Sequence, residues 1–411
     1  MRRVIPPFAV LTISVTVGSC ESDAVLTREG TVSDSAGIRI VENVDPTWEA
    51  PWRVADEPAV TIGSAEGDPT QLLFRVTDML RLDDGSIVIA NAGTNELLFF
   101  DSTGAFRLKA GGQGEGPGEF SMLVWISRFE PDSLVAMDLR ARRLSWFDSA
   151  GQFGRSVRLE PSAELSVPLP VGIFHDGSML VRQGAMALGA EGPTRVERPD
   201  ETLYRYEPNG QSATALGLFP GTELSISPTG MTLPDGGDRY GRSPREFGRT
   251  TAIAGSSQRY YVADNATYEM RAYDMDGRLS LLIRKQHTPV PVTDEDVQRL
   301  RDARLERVSD PERQRVIRRA QDRKPPAPAT MPALGDVIRL DTEGNLWVPE
   351  YSRPGEYPLA WSVFAESGRF LGVVDVPDGL ALHDIGSDYV LGLRTDQDGV
   401  QYVQLHELIK R

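Results

Sequence analysis

The sequence predicts an all-β fold, a six-bladed β-propeller with four-stranded antiparallel blades, and three observations support this prediction. First, a strand-like run that ends in an aromatic residue and continues as Asp-x-x-Gly recurs, most clearly at residues 99–104 (FFDSTG) and 146–151 (WFDSAG). Second, a turn followed by a β-rich run precedes most copies, as at residues 84–91 (DGSIVIAN). Third, both phrases together describe four antiparallel strands in roughly 40 residues, which is the repeat of a propeller blade.

The turn chemistry explains why each phrase predicts a hairpin. Asp side chains bond the nearby backbone and glycine accepts a positive φ, so Asp-x-x-Gly between apolar runs favours a tight turn. The repeat occurs six times, in units that begin near Val76, Val124, Val171, Thr250, Asp336 and Leu380. A pair of β-sandwiches is the alternative, and the single recurring hairpin phrase disfavours it.

The last unit lacks one strand, and the N-terminus has strands to spare. The sixth unit ends near Ile409, while residues 38–41 and 59–62 are strand-like and lie outside the repeats. We therefore predict that an N-terminal strand completes the last blade. This closure would join the ring and remove its exposed sheet edges.

The first residues have a pattern typical of export. Arg2 and Arg3 precede a mostly apolar run that is too short for a stable membrane span. Small residues then lead to Cys20, the only cysteine of the chain. This arrangement resembles the lipobox of bacterial lipoproteins, and the resemblance implies lipid attachment at Cys20. An ordinary signal peptide with a chance cysteine is the alternative.

These observations predict the organisation of the chain. Residues 1–19 form a lipoprotein signal peptide, residues 20–36 a tether, and residues 37–411 the propeller, with a helical insertion at about 290–333. The expected location is the cell envelope, on the outer membrane or the periplasmic face, with the protein held there by its lipid. We expect the propeller to be a monomer.

Charge and composition exclude several partners. The chain carries 59 acidic and 44 basic residues, a net charge of −15, and an acidic surface repels nucleic acid. Only 4 histidines are present, which disfavours a multi-histidine metal centre. The sequence therefore predicts no nucleic-acid binding, no cofactor and no metal. It leaves open a protein, a glycan or a small molecule as the partner.

The glycine-rich stretch at residues 111–120 (GGQGEGPGEF) predicts a structural corner. A phosphate-binding loop would need a following helix or a Walker lysine, but Pro117 and Gly118 break any helix here. The stretch lies between the last strand of one unit and the first strand of the next. Glycines permit that crossing, and Phe120 is expected to anchor the corner between two blades.

Residues 112–120, with the Asp-Gly and Asp-x-x-Gly phrases around them, resemble NHL-type repeats. The whole chain resembles the bacterial six-bladed β-propeller lipoproteins of the NHL/TolB-like kind, most strongly over residues 59–159. Units three to five depart from the pattern and carry insertions. The resemblance implies a secreted, membrane-tethered binding scaffold.

One insertion is predicted to be a helical hairpin. Thr293 precedes three acidic residues in a first helical turn, and Asp310-Pro311 is a second helix start. Proline residues after Lys324 end the second helix. The hairpin is either a solvated excursion with internal ion pairs or a lid over one end of the channel. As a lid, it would offer Arg315 and Arg318, with Arg313 and Arg319, to an anion or a protein partner.

Candidate ligand-binding residues lie where second strands end and on a strand that we expect to line the axis. Side chains at the ends of the second strands would ring one face of a propeller, and a ring of oxygen ligands could hold a cation or a polar molecule. The alternative is that each caps its own loop. The candidates on strands are Asn91, Asp138, Asp264, Glu350 and His383.

Two functions remain open from the sequence. The first is a membrane-anchored extracytoplasmic binding or assembly scaffold, with its ligand or protein partner on the propeller face near the helical insertion. The second is a propeller hydrolase or lyase, lactonase-like or similar to the NHL lyases, with a divalent metal in the central channel. The sequence contains no Gly-x-Ser-x-Gly or His-Glu-x-x-His motif, so we expect no catalytic residue and favour the binding role.

Overall fold

A computed structural model of the chain describes residues 25–27, 30–48, 51–129, 133–161, 167–183, 192–233, 236–354 and 359–410. Five strands precede the repeats: β1 (Val25–Thr27), β2 (Gly30–Ser35), β3 (Ile38–Asn43), β4 (Arg53–Val54) and β5 (Val60–Ile62). No helix in these ranges is both long and apolar enough to cross a membrane.

The first three blades are antiparallel sheets of four strands each. Blade 1 contains β6 to β9: Val76–Arg81, Ile87–Asn91, Glu96–Phe100 and Phe106–Gly111. Blade 2 contains β10 to β13: Leu123–Phe129, Ser133–Asp138, Arg143–Asp148 and Phe153–Arg158. Blade 3 contains β14 (Pro168–Ile173), β15 (Met179–Gln183), β17 (Asp200–Tyr206) and β18 (Ala213–Pro220).

The other three blades follow the same order along the chain. Blade 4 contains β21 to β24: Thr251–Gly255, Arg259–Asp264, Glu269–Asp274 and Leu279–Lys285. Blade 5 contains β25 to β28: Arg339–Leu340, Leu346–Pro349, Leu359–Phe364 and Phe370–Val376. Blade 6 contains β29 to β31: Leu380–Ile385, Tyr389–Thr395 and Gln401–Ile409.

The blades form a closed ring. The first strand of each blade contacts the first strand of the next, and β29 of blade 6 contacts β6 of blade 1. Blade 6 receives its outer strand from the N-terminus, because β5 and β4 both pair antiparallel with β31. The prediction of a six-bladed propeller closed by an N-terminal strand is confirmed.

The other spare strand, β3, does not join the last blade but pairs with blade 4. β3 pairs in parallel with β24, so the β1–β2–β3 hairpins extend the outer edge of blade 4. Residues 30–35 lie within the expected tether but form β2, which pairs with β3 along its whole length. Residues 25–27, which also lie within the expected tether, form β1 and pair with β2, so two strands occupy part of the expected tether. The polar composition of residues 30–35 gave no sign of a strand, because a strand at a solvated outer edge needs no apolar alternation.

Six buried apolar clusters hold the described ring together, one in each gap between neighbouring blades. The cluster between blades 1 and 2 includes Phe99 and Phe147, and the cluster between blades 6 and 1 includes Ile62 and Tyr389. Each blade therefore buries both faces, which explains the apolar runs in its second and third strands.

The recurring Asp-x-x-Gly turns form as the sequence predicts. In blade 1, Asp101 Oδ1 accepts hydrogen bonds from the backbone N–H groups of Thr103 (2.9 Å) and Ala105 (3.0 Å). Gly104 occupies a positive φ of 84°. Hydrogen bonds from the Thr103 hydroxyl and from these two N–H groups lower the pKa of Asp101. The same backbone pattern recurs at Asp148, Asp274 and Asp396.

The glycine-rich stretch is the structural corner that the sequence predicts. The backbone N–H of Phe120 donates to the carbonyl of Gly112 (2.9 Å), and the Phe120 ring is fully buried between blades 1 and 2. A Cβ on Gly111 would lie 2.6 Å from that ring, so only glycine fits there. The stretch therefore directs the backbone around a packed aromatic ring.

Insertions build a cap on one end of the ring, which we call the cap face. Because strands alternate in direction, this face holds the connections between blades and the loops between second and third strands. The cap consists of a small sheet and two helices: β16 (Arg195–Glu197), β19 (Leu224–Thr232), β20 (Asp238–Pro244), α1 (Asp294–Glu306) and α2 (Pro311–Gln321). The turns between first and second strands lie on the opposite end, the hairpin face.

Buried carboxylates attach the helices to the ring. Thr293 and Asp296 form a capping box at the start of α1, and Asp296 also pairs with Arg353 of the blade 5 loop (2.6 Å). Burial disfavours the Asp296 anion, but bonds from Thr293 and the Arg353 charge outweigh burial and lower its pKa to about 2. Glu246, also buried, pairs with Arg301 and Lys324, each at 3.3 Å.

Close backbone packing joins the helices to the small sheet. β19 lies against α2, and a Cβ on Gly230 would be 2.4 Å from the carbonyl oxygen of Val316. The insertion is therefore a docked part of the fold.

Candidate functional site

The first strands of the blades surround an axial cavity of about 460 Å³. Its lining includes ionisable side chains from five blades: Asp78, Arg128, Arg182, Arg339, His383 and Asp384. A second cavity of about 680 Å³ lies at the hairpin face and shares Ser127, Arg128 and Ser256 with the first. The axial cavity therefore adjoins a vestibule at the hairpin face, while the cap lies on the opposite face of the ring.

β-Bulges place some of these side chains. The first strands of blades 1, 2, 3 and 6 each contain a register shift, at Thr77, Val124, Val171 and His383. A bulge inserts one unpaired residue and re-aims its side chain, and bulges are frequent beside binding sites. All four bulged residues line the axial cavity. The same bulge therefore recurs at equivalent positions in four of the six described blades.

Asp78 and His383 connect blades 1 and 6 inside the cavity. His383 Nδ1 lies 3.1 Å from Asp78 Oδ1, and both side chains are largely buried. Asp78 also accepts hydrogen bonds from the backbone N–H groups of Met79 (3.0 Å) and Ile126 (3.1 Å). The sequence prediction that the His383 strand lines the axis is therefore correct, although ligand binding by His383 stays a prediction.

Arg128 joins blades 2, 1 and 6 where the axial cavity meets the vestibule. Its guanidinium pairs with both carboxylate oxygens of Asp384, at 2.8 Å for Oδ1, and its Nε donates to the carbonyl of Arg81 at 2.8 Å. Tyr389 Oη lies 2.8 Å from both Arg128 and Asp384.

The Asp384 charge keeps Arg128 protonated and, together with burial, keeps Tyr389 neutral in this hydrogen-bond network. Burial disfavours the Arg128 cation, but the Asp384 charge outweighs burial and raises the pKa of Arg128. Burial and the Asp384 charge also raise the pKa of Tyr389. Tyr389 therefore remains a neutral phenol that can donate to the carboxylate.

Arg339 is a cation of a different kind. It begins the first strand of blade 5, and its Nε donates to the carbonyl of Leu382 (3.3 Å). Within the described part of the chain, no carboxylate forms an ion pair with it, in contrast to Arg128 and Arg182. Burial lowers the pKa of Arg339, while the more distant charges of Asp78 and Asp384 oppose that shift.

The structure places Asn91 and Asp138 at the cap face, where their side chains hold loops. Asn91 Oδ1 accepts from the backbone N–H of Phe74 (2.8 Å). Asp138 is fully buried and accepts from the backbone N–H groups of Ser121 (2.7 Å) and Met122 (3.1 Å). Each residue also binds its own following loop, Asn91 through the Thr94 hydroxyl (3.0 Å) and Asp138 through the backbone N–H of Ala141 (3.0 Å), as the alternative expects.

Asp264 and Glu350 also have internal partners. Asp264 pairs with Arg198 (2.7 Å), which anchors the segment between β16 and β17. Glu350 Oε1 accepts from Lys285 Nζ (2.7 Å) and Tyr268 Oη (2.8 Å), which connects blades 4 and 5. The structure therefore does not bring the four predicted face residues into one site, and it uses each of them in a separate contact.

The remaining predicted site residues lie far from the axis or outside the described residues. Arg315 and Arg318 are exposed on α2, and Arg315 lies 3.5 Å from Glu312. Cys20, the predicted site of lipid attachment, is outside the residues that the structure describes.

Sequence reasoning missed Asp78, Arg128 and Arg339. A usable signal was present, because Asp78 and Arg128 are charged residues within the first strands of blades 1 and 2, where apolar residues also lie. Over the ranges that the structure covers, no three His, Cys, Asp or Glu side chains are grouped so that they could hold a metal ion.

Comparisons with known proteins agree with this architecture. The model of a family described as 6-bladed beta-propeller matches residues 70–170. A member of the DUF4221 family from Bacteroides vulgatus is similar in structure at 10% identity and a TM-score of 0.51, over 87% of this chain and 98% of that chain. The search of curated proteins found no match.

Two further solved structures are similar at lower TM-scores. A protein from Bacteroides fragilis that is assigned as exported matches at 12% identity and a TM-score of 0.45, over 90% of this chain and 100% of that chain. A gluconolactonase from Xanthomonas campestris matches at 13% identity and a TM-score of 0.42, over 88% and 98%. At these identities the likenesses concern the fold alone. The closed ring and the matching family model together make this chain a six-bladed β-propeller.

Proposed function

We propose that the chain is an exported binding protein, anchored by lipid at Cys20, that holds a small polar ligand in its axial cavity. The observation that carries the proposal is the cavity of about 460 Å³, lined by charged and polar side chains and adjoining the vestibule. Ligand pockets are typically roughly 300–1,000 Å³ with a few polar groups that orient the ligand. A small molecule fits this space, and a folded protein partner does not.

The axial cavity supports binding better than the cap face does. Side chains at the cap face that could have contacted a ligand, such as Asp138 and Glu350, already accept internal hydrogen bonds. Arg315 and Arg318 are exposed, but they lie on a convex helix surface instead of a concave one. A ligand across the cap face would therefore meet few free polar groups.

A hydrolase or lyase role has less support in the geometry. Metal-dependent hydrolysis needs several convergent ligands with an open coordination position. Asp78 and Asp384 face the axis, yet each already accepts several hydrogen bonds from the protein. The arrangement suits recognition of a ligand by fixed polar groups.

Filling the boundary between cavity and vestibule tests the proposed location. Ser127 lines both spaces, and Ser127→Phe would place a ring between them. Ligands can be identified by thermal-shift screening of the purified wild-type chain with small sugars, organic acids and amino acids. We expect each stabilising compound to lose its effect on Ser127→Phe, with circular dichroism confirming the fold. Unchanged stabilisation of the variant would place the ligand elsewhere.

Export and anchoring rest on the basic start, the apolar run and Cys20. Replacing Cys20 by serine is expected to leave an unlipidated precursor that is no longer recovered in the membrane fraction. Metabolic labelling with a fatty acid and fractionation would measure this. Labelling of the Cys20→Ser chain, or its continued retention by membranes, would contradict the anchor.

A further inference from the structure

The guanidinium of Arg339 makes few contacts with the described part of the protein. Its one hydrogen bond within the described residues goes from Nε to the carbonyl of Leu382, at 3.3 Å. Arg339 lines the axial cavity, and its Nη atoms have no acceptor in the described chain. Arg339 is partly exposed, and its Nη donors are therefore open to a partner that enters the cavity. An anion there would pair with these donors.

The two carboxylates whose charges act on Arg339 already bind other groups. Asp78 is bound by His383 and by two backbone N–H groups. Asp384 is bound by Arg128, by Tyr389 and by the backbone N–H of Arg81 (2.9 Å). Neither acid forms an ion pair with Arg339 in the described structure.

The other arginines of the cavity provide an internal comparison. Arg128 pairs with Asp384, and Arg182 pairs with Glu201 through its Nε at 3.0 Å. Three arginines therefore line one cavity, and two of them have carboxylate partners from the described chain. Arg339 is thus the one of these three whose donors remain available to a ligand.

We propose that Arg339 is the anion-recognition residue of the axial cavity, and that its ligand is a small molecule with a carboxylate or phosphate group. A guanidinium presents paired N–H donors that match the two oxygens of such a group. This inference rests on the proposed binding function and adds the chemical class of the ligand. The body of the ligand would face Asp78, His383 and Thr77, which can accept or donate hydrogen bonds beside the bulged strands.

The test compares wild type with Arg339→Gln, which keeps a polar side chain of similar length but removes the charge. Lys109→Gln is the matched control, because Lys109 is an exposed cation on an outer strand. Binding of malonate, inorganic phosphate and neutral glucose is measured by calorimetry at constant ionic strength. Crystals soaked in selenate locate the bound oxyanion through its anomalous signal.

We expect malonate or phosphate to bind the wild type and the Lys109→Gln control equally. Arg339→Gln should weaken that binding by about 10- to 100-fold, the effect of one charge-assisted hydrogen-bonded pair. Selenate should lie against the Arg339 guanidinium. If the preferred anion is malonate, the ligand class is a carboxylate, and a preference for phosphate identifies a phosphate ester.

Three results would overturn the inference. The first is anion binding that is unchanged in Arg339→Gln, and the second is selenate located only outside the axial cavity. The third is binding of glucose in the cavity as tightly as either anion in both proteins, which would leave the proposed binding function standing without its anionic ligand. If no neutral or anionic molecule from the thermal-shift screen enters the cavity, the binding function fails as well.

Discussion

Replacing Arg128 by methionine is expected to lower the free energy of unfolding by about 2–4 kcal/mol, because it leaves a buried carboxylate without its partner. Asp384 is 9% exposed and receives two hydrogen bonds from the Arg128 guanidinium. Methionine preserves much of the aliphatic packing, so the loss reports mainly on the charge. Urea unfolding of wild type and variant measures the difference, with the m-value as a check on compactness.

The network of Arg128 gives this prediction a sharp internal control. Asp384→Asn removes the orphaned charge, so the double variant should be more stable than the sum of the two single changes implies. Lys109→Met breaks an exposed ion pair with Glu96, where the Lys109 side chain is 62% exposed. Such pairs contribute about 0–1 kcal/mol. Equal losses for Arg128→Met and Lys109→Met would show that the three-blade contact does not stabilise the ring.

Replacing Ile62 by alanine is expected to destabilise the protein by about 2–5 kcal/mol, the cost of a large cavity in a packed core. Ile62 lies on β5, is fully buried, and packs in the cluster between blades 6 and 1. Because β5 supplies an outer strand of blade 6, the lost contacts also weaken the attachment that closes the ring. Thermal and urea unfolding should both show the loss.

The neighbouring residue on the same strand is the matched control. Thr61 is exposed and pairs with Gln404 of β31. Thr61→Ala keeps the backbone pairing and removes no buried surface, so its effect should stay within about 0.5 kcal/mol. A small effect at Ile62, similar to that at Thr61, would mean that β5 is not part of the closed ring.

Local turn chemistry explains how much of the fold could be predicted from the sequence. Asp101 and Gly104 show the mechanism, since the carboxylate binds the turn backbone and the glycine takes the positive φ. Such signals need no knowledge of distant residues, so the blade starts near Val76 and Leu380 agree with the observed strands. The helix start at Thr293 was predictable for the same reason.

Pairings between distant segments could not be predicted in the same way. The parallel pairing of β3 with β24 joins residues far apart in sequence, and no sequence pattern in either strand indicates which strand it pairs with. The small sheet of β16, β19 and β20 has short, partly exposed strands without the repeated phrase. The β3 pairing and the small sheet both depend on the positions of the outer blade edges and connections, which are set only when the ring has formed.

The candidate site was predicted only in part, because its residues meet across the axis. His383 was identified from its strand, but its partner Asp78 lies in the first blade and reaches it only after the ring closes. Arg339 could not be distinguished from a surface arginine by sequence alone. Its distinguishing property is the absence of a carboxylate partner among the described residues, which only a three-dimensional arrangement reveals.

The central claim is that the N-terminal strand β5 closes a six-bladed ring around the axial cavity. A disulfide between Thr61→Cys and Gln404→Cys, in a chain that also carries Cys20→Ser, tests this closure most directly, since these positions are register partners and no other cysteine remains. We predict that mild oxidation forms the intramolecular disulfide nearly completely in the folded protein, as peptide mass spectrometry would show. Free thiols at both positions under native conditions, or mainly intermolecular disulfides, would contradict the closed ring.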